Sequence, residues 1–136
     1  MKPNFKDRKV ILSTLWIFVL FNYLYCDILG LMDSSLLKQY LTGTVDGLEI
    51  TENFLFMGAI LMEIPIAMVL LSRILNYRVN RWTNIVAASI KTIAMVSTMF
   101  VGTPSSYYLF FGTIEIATTS FIIWYAWTWK EKTART

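Results

Sequence analysis

The sequence predicts an all-α protein, a four-helix up-down transmembrane bundle with both termini in the cytoplasm. Three observations predict this fold class. Of the 136 residues, 56% are hydrophobic and 15% are aromatic, which is far from the composition of an average soluble protein. Apolar residues form four long runs, and three of them exceed the ~18 residues that indicate a transmembrane helix. Basic residues, finally, collect on one side of the resulting topology.

The four runs form one transmembrane domain that covers residues 1–136. We place the spans near residues 10–31, 54–74, 82–101 and 107–129. The outer loop, 33–53, contains the stretch SSLLKQYL (34–41), which predicts a short helix on the membrane surface that ends at Gly43. Asn80 is predicted to cap the third span, and Pro104 is predicted to lie in the first turn of the fourth.

Charged residues orient these spans in the membrane. Ten basic residues fall on one predicted side: Lys2, Lys6, Arg8, Lys9, Arg73, Arg78, Arg81, Lys130, Lys132 and Arg135. The other side has Lys38 alone among basic residues, together with four acidic ones. Because cytoplasmic flanks collect Lys and Arg, both termini are expected in the cytoplasm. The formal net charge of +3 then follows from topology, so we expect the lipid bilayer as a partner and no nucleic acid.

Metal and cofactor chemistry finds little support in the composition. The chain has one cysteine, Cys26, and no histidine, so a zinc or haem site of the ordinary type is not expected. We predict no metal and no cofactor, and we interpret Cys26 as a packing residue.

Ionisable residues within the spans are the strongest signal in the sequence. Asp27, Glu63, Lys91 and Glu115 lie one in each span. A charge near the bilayer centre costs roughly 2.5 to 3.5 kcal/mol, so all four side chains are expected to point into the bundle. At about 1.5 Å per residue, the last three lie roughly 15 Å from the outer end, and Asp27 lies higher.

Helical periodicity places further residues beside these charges. Residues three, four or seven positions apart share a helix face. The predicted supporting residues are Tyr23, Asn84, Tyr108, Thr118 and Thr119, whose polar groups could meet the carboxylates inside the bundle. Pro65 is expected to bend the second span and to leave the carbonyl of Leu61 without its usual donor. That carbonyl would be a spare acceptor for a cation, a water or a donor-bearing ligand.

Three carboxylates facing one ammonium predict a site that binds or transports a small cationic ligand or protons. Either carboxyls are protonated or a bound cation supplies the missing charge. An intramembrane acid/base enzyme acting on a lipid-soluble substrate is an alternative, although no nucleophile with its base and no phosphate-binding loop accompanies the acids. A scaffold subunit, a homo-oligomer, and a lysine–carboxylate pair that only fixes helix register also stay open.

Three stretches carry a resemblance to a known family: FNYLYCDILGLM (21–32), NRWTNI (80–85) and FFGTIEIATTSFIIWYAWTW (110–129). They resemble an uncharacterised bacterial family of short four-span membrane proteins, a domain of unknown function. The resemblance covers most of the chain and includes Asp27 and Glu115. It implies a multi-pass protein of the bacterial cytoplasmic membrane and brings no activity with it. Lys91 lies outside the pattern, so the resemblance implies no role for this residue.

Overall fold

The computed structural model describes residues 7–131, and its architecture in this range is all-helical apart from one small hairpin. The described part of the chain forms α1 Arg8–Met32, α2 Ser34–Thr42, β1 Thr44–Val45, β2 Leu48–Glu49, α3 Glu52–Ile74, α4 Tyr77–Thr98 and α5 Ser106–Trp127. The four long helices pack as a bundle, in which α1 contacts α3 and α5, and α4 contacts α5. Contacts between α3 and α4 are sparser.

Three of the long helices are long and apolar enough to cross a membrane: α1, α3 and α5. Three of the four expected spans are found by this criterion, and α4, with 22 residues, is not among them. The reason lies in its polar residues, which lower its mean hydropathy. Three of them, Asn80, Asn84 and Lys91, are buried in the bundle. Helix α4 thus turns its polar face inward.

The outside of the bundle is apolar. Large side chains are exposed along the long helices, and examples are Phe21 at 67%, Phe110 at 63% and Trp124 at 58%. The core is small and contains Leu12, Trp16 and Ile122, each fully buried. Continuous exposed apolar surface of this kind marks contact with a membrane or with protein partners.

The segment between α1 and α3 contains the predicted short helix and a hairpin that the sequence analysis does not predict. Helix α2 ends where expected, because Gly43 has a left-handed backbone with φ of 78°. The hairpin pairs β1 with β2 in antiparallel register around Asp46 and Gly47, both with positive φ. An Asp-Gly pair is a known turn signal in tight hairpins, and its presence in the sequence was the available clue.

Both predicted helix starts require correction. Asn76 caps α4 by accepting a hydrogen bond from the Val79 amide at 3.2 Å, so the helix begins one turn before Asn80. Asn80 is instead fully buried inside α4. Helix α5 begins at Ser106, so Pro104 precedes the helix and does not lie in its first turn.

Arginine side chains join α1 and α4 to α5 at the end of the bundle where α1 and α4 begin and α5 ends. Arg8 Nη1 donates to the Tyr125 carbonyl at 2.6 Å, and Arg81 Nη2 donates to the Trp127 carbonyl at 2.9 Å. The last carbonyls of a helix lack partners within the helix, and they carry its partial negative charge. These contacts place Arg8 and Arg81 together at this end of the bundle. The predicted flanking charges Lys2, Lys6, Lys132 and Arg135 lie outside the described residues.

Candidate functional site

Lys91 lies inside the bundle, in the second half of α4, and is 6% exposed. Its ammonium nitrogen Nζ donates a hydrogen bond to the Leu61 carbonyl of α3 at 3.3 Å. The same nitrogen lies 4.2 Å from the centroid of the Tyr23 ring on α1. A carbonyl dipole and an aromatic face both stabilise a cation that has left water. Lys91 therefore links three helices at one point.

Pro65 explains why the Leu61 carbonyl is free to accept this bond. A proline has no amide hydrogen, so it cannot donate to the carbonyl four residues earlier in its helix. Pro65 is buried within α3, and the carbonyl that it leaves free is the one that Lys91 reaches. The sequence predicted the spare acceptor, and the structure shows that an internal lysine uses it.

Glu115 is the buried carboxylate of the bundle, 1% exposed on α5. Its Oε1 atom is buried and has no hydrogen-bond partner. The hydroxyl of Tyr23 is the other buried side-chain oxygen in residues 7–131 without a partner. Buried polar atoms are nearly always paired, so two unpaired buried oxygens, one on Glu115 and one on Tyr23, are unusual. They offer hydrogen-bonding capacity that the fold itself leaves unused.

Threonine hydroxyls surround Glu115 but donate to backbone or to each other. Thr119 Oγ1 donates to the backbone carbonyl of Glu115 at 3.0 Å, and Thr118 Oγ1 donates to the carbonyl of Ile114 at 2.7 Å. Thr92 Oγ1 lies 2.7 Å from Thr119 Oγ1 and connects α4 to α5. The expectation that these hydroxyls bind carboxylates is not met. A threonine hydroxyl on a helix always has the carbonyl four residues earlier within reach. In an apolar interior, these hydroxyls therefore donate to that carbonyl and not to the carboxylate.

Glu63 and Asp27 are not buried in the bundle. Both are exposed, contrary to the expectation that all four charged side chains face inward. For Glu63 the reason is helix geometry. Residues two apart lie about 200° apart around an α-helix, so burying Pro65 turns Glu63 to the opposite face. Asp27 follows the buried Cys26 on α1 and falls beyond the edge of its buried face.

The interior therefore holds one acidic and one basic side chain from the predicted group of four. Lys91, Glu115 and Tyr23 are all buried, although no hydrogen bond or ion pair joins Lys91 to Glu115, and the excess of three carboxylates over one ammonium is absent from the core. Burying one charge of each sign costs less than burying several of the same sign, because the pair has no net charge.

A second buried polar cluster joins α1, α3 and α4 nearer the arginine end. Trp16 Nε1 donates to Asn84 Oδ1 at 2.7 Å, and Asn84 Nδ2 donates to Asn80 Oδ1 at 2.7 Å. Asn80 Nδ2 donates to the carbonyl of Ser72 at 2.7 Å. Asn84 was among the predicted supporting residues, whereas the role of Asn80 was missed. The four-residue spacing of the two asparagines in NRWTN was the available signal.

Tyr108 makes no hydrogen bond with a carboxylate. Its hydroxyl group donates to Thr98 Oγ1 at 2.6 Å, where α4 ends and α5 has just begun. This bond ties the two helices together near the short outer turn. The predicted role beside a carboxylate is therefore not seen for Tyr108.

Two open grooves lie elsewhere on the surface. One, of about 440 Å³, lies between α3 and α4 and is lined by apolar side chains that include Met68, Leu71 and Val86. The other, of about 470 Å³, lies at the arginine end beside Arg81 and Trp129. Neither groove is lined by Lys91 or Glu115.

Comparison with known proteins gives one match. Residues 4–136 match a family described as a family of unknown function (DUF6326). Searches of curated proteins and of solved structures returned no match.

Proposed function

Since this chain belongs to DUF6326, a family of unknown function, we propose a role from its own geometry: a small membrane protein whose buried Lys91–Glu115 site binds and relays a proton. The observation that carries the proposal is the unpartnered Oε1 of the buried Glu115. Ionisable groups buried at membrane depth are costly to keep and usually serve ion or proton movement. An oxygen that the fold leaves free can accept a proton without breaking an existing bond.

The proposed topology is a four-span bundle in the bacterial cytoplasmic membrane with both termini inside. Its support is the convergence of Arg8 and Arg81 at one end of the bundle and the acidic hairpin region at the other. Helix α4 crosses as the fourth span because its polar side chains face its neighbours and the helices around it face the lipid.

Each buried group has a distinct role in this proposal. Glu115 is the proton acceptor, and Lys91 is the counter-charge that makes ionised Glu115 tolerable in the core. A proton can pass between the two while the net charge of the pair stays constant. The free Tyr23 hydroxyl offers a hydrogen bond along the way. Asp27, which is exposed further toward the outer end of α1, exchanges the proton with the outer side.

Infrared spectroscopy of the purified protein in lipid vesicles tests the proton-binding step. The carbonyl band of a protonated carboxylic acid should appear and disappear with pH, and Glu115→Gln should remove a band that titrates separately from the exposed acids. Glu49→Gln is the matched control, because it removes an exposed carboxyl of β2 that has no role in the proposal.

Vesicles that contain a pH-sensitive dye test the relay. An imposed pH difference should decay faster with the wild-type protein than with Glu115→Gln, and Glu49→Gln should behave like wild type. A titration unchanged by Glu115→Gln, together with equal decay in all three proteins, would contradict the proposal. That result would favour a Lys91–Glu115 pair that only fixes helix register, as in a scaffold subunit.

A further inference from the structure

Glu63 occupies the middle of α3 and faces away from the bundle. It lies eleven positions after Glu52, where the helix begins, and eleven positions before Ile74, where it ends. In a helix that crosses a bilayer, this position lies about 16 Å from either end, near the centre of the hydrocarbon. An exposed carboxyl at that depth has neither water nor a bundle interior around it. It needs a hydrogen-bonding partner from outside the monomer.

The surface around Glu63 is a regular apolar stripe. Exposed side chains at Phe56, Ile60, Ile66 and Leu70 lie on the same side of α3, and Phe56, Glu63 and Leu70 follow each other at seven-residue intervals. That interval is the repeat with which two helices pack along their length. Helix α3 is also the least covered candidate span, with 11% of its apolar window buried against 28% for α1 and 33% for α5.

A second copy of the chain supplies the hydrogen-bonding partner that Glu63 needs from outside the monomer. Two copies with the same membrane topology are related by a two-fold axis along the membrane normal, so equivalent residues lie at equal depth and face each other near the axis. Two carboxyls brought together in this way cannot both be ionised, but they hold one proton between them in a short O–H···O⁻ hydrogen bond. The pair then carries a single negative charge, and each carboxyl has a partner.

We propose that the Glu63 face of α3, defined by Phe56, Ile60, Glu63, Ile66 and Leu70, is the interface of a parallel homodimer in which two Glu63 side chains share a proton. This interface lies on the outside of the bundle, whereas Lys91 and Glu115 are buried inside the bundle. The inference therefore requires that α3 crosses the membrane, and it does not depend on proton relay.

Cross-linking in native membranes tests the geometry. In a Cys26→Ser background, Ile60→Cys should form a disulfide-linked dimer upon mild oxidation, because equivalent residues near a two-fold axis approach each other. Phe21→Cys is the matched control. Phe21 is 67% exposed near the middle of α1, but it lies on a different helix, and it should give little dimer.

Substitution of Glu63 tests the chemistry. Glu63→Leu keeps an apolar stripe and removes the hydrogen bond, so self-association measured by energy transfer between labelled copies in vesicles should weaken roughly tenfold. Glu63→Gln can still pair through its amide and should stay within about threefold of wild type. Because the residue is exposed, both variants should keep the circular dichroism spectrum of the wild type.

Specific outcomes would overturn the inference. Equal cross-linking at positions 60 and 21 would remove the interface. Unchanged self-association in Glu63→Leu, or a monomer at every protein-to-lipid ratio, would remove the role of Glu63. Cross-linking of Ile60→Cys to a different protein in native membranes, with no self-linked product, would assign the face to a heterologous partner.

Discussion

At the scale of single residues, Lys91 and Pro65 form a matched pair on neighbouring helices. Pro65 removes a donor from α3, and Lys91 of α4 supplies another at 3.3 Å from the same carbonyl. A proline inside a helix normally costs stability because its carbonyl partner is left unpaired. Here the free carbonyl becomes a ligand for a buried ammonium, which needs acceptors more than a backbone amide does.

We expect Lys91→Met to destabilise the protein by about 3–5 kcal/mol, because it leaves Glu115 buried without a cation. Adding Glu115→Gln to Lys91→Met should restore most of the loss, since no unpaired charge then remains. The free energy of unfolding in mixed detergent micelles is the measurement. Glu49→Gln, an exposed change in β2, should alter it by no more than about 0.5 kcal/mol. Additive effects of Lys91→Met and Glu115→Gln would show that the two residues do not interact.

At the scale of elements, the asparagine cluster joins three helices beside the hydrophobic core. Asn80 and Asn84 bind Trp16 of α1 and Ser72 of α3 through side-chain hydrogen bonds. Both asparagines are fully buried. A fully satisfied polar cluster fixes the relative rotation of its helices, because any other rotation would leave donors and acceptors unpaired.

Asn84→Leu should therefore destabilise the bundle by about 2–5 kcal/mol, through the loss of partners for Trp16 Nε1 and for Asn80 Oδ1. Ser89→Ala is the control on the same helix, because the Ser89 hydroxyl bonds only the carbonyl of Ile85 in its own turn. It should change stability by less than about 0.5 kcal/mol. The two unfolding free energies, measured under identical conditions, decide the matter, and equal effects would contradict a cluster that joins helices.

Local signals in the sequence predicted the elements better than their rotation. Gly43 ended α2 as expected, and Pro65 freed the expected carbonyl, because each effect depends only on the residue and its own helix. The direction of Glu63 could not be read in the same way. Its apolar neighbours fill every face of α3, so only packing against α1 determines which side is buried. The prediction that Asn80 caps the helix was wrong because two asparagines four residues apart, Asn76 and Asn80, compete for that role, and Asn76 is the cap.

At the scale of the whole molecule, charge and apolarity are arranged along and across one axis. Contacts of Arg8 and Arg81 gather basic residues at one end, while the hairpin at Asp46 packs beside Gly102 in the turn before α5. Polar side chains of α4 are enclosed, and apolar ones cover the outside. The family to which the chain belongs has no known function, so the family match assigns no activity to this arrangement.

Cysteine labelling in intact cells tests whether α4 crosses the membrane. In a Cys26→Ser background, Asp46→Cys should react with an impermeant maleimide, whereas Arg78→Cys and Glu131→Cys should react only after permeabilisation. All three positions are exposed. A three-span arrangement, with α4 lying on the inner surface, predicts instead that Glu131→Cys reacts in intact cells. Labelling at position 131 therefore distinguishes the two topologies.

The groove between α3 and α4 lies between two polar contacts of unequal kind. In the lower contact, toward the arginine end, Asn80 binds the Ser72 carbonyl with a neutral amide. In the upper contact, at the opposite end of the groove, Lys91 binds the Leu61 carbonyl with an ionisable amine. A change in the charge of Lys91 would loosen the upper contact and leave the lower one intact. The two helices would then separate at the end held by Lys91, while the hydrogen bond of Asn80 keeps them together at the arginine end.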